Sequence, residues 1–358
     1  MSDEDRSRFE QSSRLEPSRR AVLGGIAAGL TVGIVPPGFA QGKGFVSTVL
    51  GGVFEREYRK GVVEPFMKQT GIKVDLKLGN PSEWVTSAMI NRRRPEIDLL
   101  FLPFPDNIRA VIQGIGIPLT EQDIPNLKNV LPECRDQFQG KAVGMDYLAN
   151  GIAYRTDMIS NPPKSWKDLW NPEYAGKIAI PDIVGLGVWE ILVIAARLNG
   201  GDETNLDPAF KALQALKPNI RKFYKSTVEL AQLLDSGEAA IAAIAPSNRI
   251  YDLMDAGKPV KFVVPTEGAT LGMVSFHIAQ NSPNTELCKQ FIDFALSPRP
   301  QEDFCNGMTA RPSTRHANVA QRVQERVPPI DQMFHFDWFK IVPQMDALTD
   351  RWNRELGR

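Results

Sequence analysis

The chain has 358 residues, and its 42 basic and 42 acidic side chains cancel to a formal charge of zero. That balance argues against nucleic acid or an acidic membrane surface as the main partner. A composition of 42% hydrophobic and 23% charged residues is that of a soluble globular protein, long enough for two domains with a core in each.

In chain order, residues 1–17 are polar, and Ser18-Arg19-Arg20 precedes a glycine-containing apolar run over residues 21–35 that is too short to span a bilayer. Gly38-Phe39-Ala40 supplies small residues for cleavage before Gln41. Paired arginines ahead of a mildly hydrophobic segment look like a twin-arginine export signal, which sets residues 1–40 apart and points to the periplasm. The segment holds five arginines and five acids, so its removal leaves the charge at zero.

Residues 45–50 read as a buried first strand that ends at Gly51-Gly52, where the backbone can come close to a ligand. Val62, Val63, Phe66 and Met67 then give one helical face, closed by Gly71. Ile72, Val74, Leu76 and Leu78 alternate with Lys73, Asp75 and Lys77, as on an edge strand with one buried side. A helix from Ser82 turns Trp84, Val85 and Met89 inward and stops at Arg92-Arg93-Arg94-Pro95, a solvated end favoured by the helix dipole. Residues 97–102, apolar except for Asp98, read as a central parallel strand, and Phe104 lies in the loop at its carboxyl end. This alternation of strands and helices marks a wound α/β unit.

Residues 142–154, which include Asp146 and Tyr147, lead into the second half of the chain. Ser165 and Asp168 form a capping-box pattern with Trp166, Leu169 and Trp170 on one face, and Asn171-Pro172 ends that turn. Residues 177–180 read as a strand stopped by Pro181-Asp182; ligands bind at such strand ends, so Asp182 marks a candidate pocket wall. Apolar helices follow over residues 186–198, which contain Trp189, and over 208–216. Tyr224-Lys225-Ser226-Thr227 opens a helix capped by Ser226 with Glu229. Residues 239–245 form a strand of small residues closed by Pro246-Ser247-Asn248-Arg249. A further strand is expected at 262–264, a return crossing at 272–278, helices at 285–296 and 342–356, and a loop carrying Arg311 at 310–314.

Enzyme signals are thin: no GxSxG elbow, P-loop or HExxH occurs, and His277, His316 and His335 lack ligand spacing. No metal or cofactor is expected. Cys134, Cys288 and Cys305 have no metal spacing and read as buried free thiols, with a Cys288–Cys305 bridge as the alternative.

The stretch SWKDLWNPEYAGKIAIPD over residues 165–182 resembles the block that opens the second lobe of periplasmic solute-binding proteins of ATP-driven importers, in the spermidine/putrescine-binding branch. The likeness runs from about Phe45 to about Arg315 and includes Val62-Val63-Glu64-Pro65-Phe66 with Thr70-Gly71-Ile72-Lys73-Val74. It implies a type II periplasmic binding protein fold, with two α/β lobes, a mixed sheet in each and a two-segment hinge. Lobe 1 would comprise residues 41–147 plus 274–316, and lobe 2 residues 148–273 plus 317–358; the hinge would lie at 145–150 and 272–278. The implied role is a monomer that closes around a small-molecule ligand and delivers it to an inner-membrane ABC permease.

The expected ligand-facing residues are Gly51, Gly52, Phe104, Asp146, Tyr147, Asp182, Trp189, Tyr224, Lys225, Ser226, Thr227, Ser247, Asn248, Arg249 and Arg311. Where polyamine binders carry an acidic pair, this chain reads Gly185-Leu186-Gly187-Val188-Trp189; their strand-end tryptophan is Ala245 here, and a tryptophan two residues before an aspartate gives way to Gly272-Met273-Val274. An unpaired buried ammonium costs several kcal/mol. The first expectation is therefore an anionic or zwitterionic solute, with a polyamine held by Asp182, Asp146 and Glu190 as the alternative. A secreted enzyme on the same fold is the rival of another class, for which no nucleophile and base can be nominated.

Overall fold

The computed structural model describes residues 43–357; the expected export signal lies outside them. Strand β1 (Gly44–Val49) leads into a long helix that runs as α1 (Val53–Tyr58), a wide π turn over Arg59–Val63, and α2 (Glu64–Thr70). Gly71, at φ 71°, ends it in the left-handed conformation that only glycine adopts readily. Then come β2 (Lys73–Leu78), α3 (Pro81–Ile90), β3 (Leu99–Pro103) and α4 (Asp106–Ile112). All five residues of β3 are buried, which explains its unbroken apolar run.

A 13-residue strand, β4 (Val143–Arg155), follows a segment of short 3-10 turns. The capping box is present at Ser165, whose hydroxyl accepts from Lys167 while Asp168 accepts from the Ser165 amide, and it opens a single 3-10 turn over Trp166–Trp170. Beyond it lie β5 (Ile178–Pro181), α5 (Val188–Leu198), α6 (Asp207–Leu216), β6 (Ile220–Tyr224), α7 (Thr227–Ser236), β7 (Ile241–Pro246), α8 (Ser247–Asp255), β8 (Val260–Val263) and β9 (Thr270–Ile278). The remainder comprises α9 (Thr285–Ala295), α10 (Pro298–Met308), β10 (Arg311–Pro312), α11 (Gln321–Arg326), α12 (Trp338–Ile341) and α13 (Met345–Glu355). The last helix is shorter than expected, because Pro343 confines its beginning to a 3-10 turn over Val342–Gln344. Pro298, just beyond α9, occupies the first turn of α10, where its missing N–H costs nothing.

The strands form one mixed sheet in the order β2-β1-β3-β9-β4-β7-β5-β6, with β8 and β10 also on β4. Two parallel groups, β2-β1-β3 and β7-β5-β6, flank the antiparallel pair β4–β9. The two mixed sheets expected from the sequence are therefore continuous through β4 and β9. Strand β2 lies at the edge, as its alternation implies, but burial fades along it until Leu78 is 50% exposed.

Phe101 on β3 stacks on Phe276 at 4.4 Å and on Tyr58 at 4.8 Å, inside a ring of aromatic side chains that includes Phe54 and Phe291. All three cysteines are buried and free. The Phe101→Ala substitution is expected to destabilise the fold by about 3–5 kcal/mol in urea denaturation, because it removes a fully buried ring that its neighbours cannot collapse to replace.

Candidate functional site

The carboxyl ends of β1, β3 and β7 bring Leu50, Gly51, Pro103, Phe104 and Pro246 to one cavity of about 230 Å³. Three helices begin at the same place: Gly187 and Glu190 belong to the start of α5, Thr227 to that of α7, and Asn248 and Arg249 to that of α8. Unpaired backbone N–H groups at helix N-termini favour negative charge. The floor comes from β4 and β9. On β4 the residues Asp146, Leu148 and Asn150 face the cavity at every second position, which is strand periodicity.

Two irregularities aim this machinery. The pairing of β4 with β9 slips between Gly144 and Asp146, leaving Met145 as the extra residue. Its carbonyl is taken up instead by the side-chain amide of Gln301 at 2.8 Å, and the Gln301 carbonyl accepts from the backbone of Ser313 at 2.9 Å. A bulge of this kind redirects the side chain beside it, here Asp146. The second slip, between Gly151 and Ile152, leaves out Ile244 on β7, which adopts φ 55°. A β-branched residue in the left-handed region is strained by about 1–3 kcal/mol. Ile244 packs on Gly187, where a Cβ would come within 2.3 Å of its side chain.

The electrostatics are uneven. Asp146 is buried, and neither carboxylate oxygen has a hydrogen-bond partner among the described residues. Burial pushes its carboxyl up to about 7, opposed by the nearby amides of Val274 and of Asp146 itself, neither of which reaches hydrogen-bonding geometry. Burial also lifts Glu190 to about 7, with its own backbone N–H opposing. Arg249 is the one cation among the described lining residues, and its nearest carboxylate is Asp252 at 3.9 Å. The other walls are mostly apolar, including Phe54, Leu148, Leu186, Leu271 and Met308.

Residues 108–340 match the model of the bacterial extracellular solute-binding protein family. The chain belongs to that family. It is 27% identical to the spermidine/putrescine-binding periplasmic protein of Escherichia coli K12 over 252 residues, which cover 66% of this chain and 69% of that one. It is 25% identical to the putrescine-binding periplasmic protein SpuD of Pseudomonas aeruginosa over 258 residues, 66% of this chain and 70% of that one. Among solved structures, an ABC transporter protein from Clostridium perfringens superposes with a TM-score of 0.75 at 29% identity, over 87% of this chain and 99% of that one. An ABC transporter substrate-binding protein from Bradyrhizobium japonicum, at 20% identity, shares the fold with a TM-score of 0.75 over 88% and 99% of the two chains.

In this solute-binding protein, six of the fifteen expected ligand-facing residues line the cavity, Gly51, Phe104, Asp146, Thr227, Asn248 and Arg249, and so does Glu190, named for the polyamine alternative. Gly52 stands beside it, and a Cβ there would lie 3.8 Å from the Arg249 guanidinium. Ser247 is buried between the lining residues Pro246 and Asn248, its hydroxyl without a partner. Lys225 and Ser226 serve the start of α7: the Ser226 hydroxyl accepts from Glu229 N–H at 3.1 Å, and the Glu229 carboxylate accepts from Lys225 N–H at 2.7 Å. Tyr224 is buried, its hydroxyl donating to the carbonyls of Ala243 and Ile244 and so supporting the strained turn of β7. Trp189 is buried in α5, one position from Glu190, and does not line the cavity.

Three residues lie on other surfaces. Tyr147 projects from the face of β4 opposite to Asp146 and shares a recess with Arg311, whose guanidinium donates to the carbonyls of Val327 and Gln324. Asp182 caps its own turn by accepting from Ile183 N–H at 2.6 Å and borders a separate groove with Lys222 and Trp352. The strand-end loop does reach the cavity, through Leu186 and Gly187. Sequence reasoning passed over Leu148 and Asn150, although their spacing from Asp146 was a readable signal.

Because Asp146 and Glu190 hold protons more tightly folded than unfolded, each contributes stability that is present in full below the ordinary carboxyl range and lost as pH rises through about 7. Each is expected to cost about 2–3 kcal/mol between pH 5 and pH 8. Urea denaturation at the two pH values checks this, with Asp146→Asn expected to remove its share of the slope and to leave the protein more stable than the parent at pH 8.

Proposed function

We propose that this protein is the periplasmic ligand carrier of an ABC importer and that it captures a small zwitterionic organic solute with an apolar body. No reaction is carried out on the ligand. The single observation that supports this reading is the presence, in one largely apolar cavity, of two acids without a cation and of one arginine set among helix N-termini. An ammonium group would lie against Asp146 and Glu190. An acid group would lie against Arg249 and the amide ends of α7 and α8, where charge-assisted hydrogen bonds are strongest.

Capture would work by a shift in population. The cavity walls come from the parallel groups on both sides of β4 and β9, so a ligand reaching both groups gains most when they close on it, and its differential affinity drives the closure. The closed form is the one presented to the permease. Small-angle scattering is expected to show a smaller radius of gyration with ligand than without.

A diamine is the second reading, favoured by the pair of acids and by curated relatives named for spermidine and putrescine. A matched four-carbon series separates the two: 4-aminobutanoate, 1,4-diaminobutane and butanedioate, each tested by thermal shift. Binding to the native state stabilises by mass action, about 2.7 kcal/mol at one hundred times the dissociation constant. The zwitterion is expected to raise the melting temperature most. Arg249→Met is expected to weaken its binding by roughly 10- to 100-fold, the loss of one charge-assisted contact, without weakening the diamine. A response to the diamine alone would transfer the protein to the second reading.

A further inference from the structure

We infer that Asp146 and Glu190 form a proton-exchange subsite, in which each ammonium group that the ligand places against either of them displaces one proton. The inference rests on the reading of the ligand above and adds its proton stoichiometry. Its ground is geometric. Both carboxyls face one cavity, both are buried, and no lysine, arginine or histidine pairs with either among the described residues. Neither carboxylate ionises readily in such a space without a counter-charge, since each bears a desolvation penalty.

The surroundings supply no counter-charge. Asp146 is faced by the thiols of Cys134, from the 3-10 turn before β4, and of Cys305 on α10. Burial lifts both thiols well above their usual range, so they stay neutral. From β9 and β10, the strand partners opposite Asp146 are Val274 and Pro312, which do not titrate. Glu190 is faced by the Tyr224 hydroxyl of β6, which burial also keeps protonated. Arg249 on α8 is the cavity's cation, with Asp252 as its carboxylate neighbour.

In the empty protein both acids therefore carry their protons near neutral pH, in keeping with carboxyls lifted to about 7. An ammonium ion compensates one negative charge, so its arrival ionises one carboxyl and a proton leaves to solvent. A second ammonium ionises the other. The proton count thereby becomes a count of the ligand's amines, one for a zwitterion with a single amine and two for a diamine. Below neutrality the affinity should rise about tenfold per pH unit for each proton displaced, and it should level off above about pH 8.

Calorimetric titration of the full chain with 4-aminobutanoate and with 1,4-diaminobutane, in buffers of low and high ionisation enthalpy, reads the released protons directly. The expected release is about one proton at pH 6 for the first probe, about two for the second, and close to none at pH 8.5; Asp146→Asn should lower the count for 1,4-diaminobutane to about one. A bound probe whose heat is independent of buffer at pH 6 would overturn the inference while leaving the ligand reading intact. The ligand-free protein offers a separate test, carbon-13 NMR titration of the two side-chain carboxyls. Midpoints near neutrality are expected, and ordinary carboxylate midpoints near pH 4 would overturn the inference with no ligand involved. If no four-carbon probe binds, the ligand reading fails, and the carboxyl titration alone decides whether the site holds protons to exchange.

Discussion

Strand β4 is the member through which the rest of the protein is held. A buried backbone must pair its N–H and C=O groups, and β4 meets that requirement with four partners, β7, β8, β9 and β10. Both parallel groups hang on it, one through β9 and the other through β7. The strand is not regular: its pairing slips once against β9 and once against β7. The two slips lie at Met145 and opposite Ile244. Gln301 completes the first of them by supplying both a donor and an acceptor from one buried side chain.

Three departures from low energy lie at or beside the cavity. Asp146 is buried without a hydrogen bond, Ile244 is held in a left-handed conformation, and the Ser247 hydroxyl lacks a partner beside the lining residues of α8. Each costs folding free energy, and none of them improves the core. Their company makes sense if the missing partners arrive with a ligand, since a preorganised polar group left unsatisfied in the empty protein gains most when it is filled.

Much of the fold was legible because its signals are local. The uninterrupted apolar run of β3, the alternation of β2 and the Ser165 capping box each depend on neighbours within a few residues, and so does the Ser226 cap of α7. The site was only partly legible. Loop residues at strand ends, such as Phe104, Asn248 and Arg249, could be chosen because open sheets bind at those ends. Tyr147 could not be separated from Asp146 without knowing which face of β4 looks into the cavity, and that is decided by a bulge one residue earlier. Asp182 reads as a pocket residue by position, yet its carboxylate is used by the following amide, while the turn delivers Leu186 and Gly187 to the cavity. Such assignments depend on long-range pairing, which no window of sequence contains.

Gly187 and Ile244 touch so closely that each limits what the other can be. A side chain added at 187 collides with the side chain at 244, while a glycine at 244 would relax the backbone and leave a hollow facing 187. Because Gly187 also sits at φ 96°, where a side chain is strained whatever the space, the easier route toward a roomier pocket lies at 244, and an exchange there would redraw the pocket's outline without disturbing a single charged group.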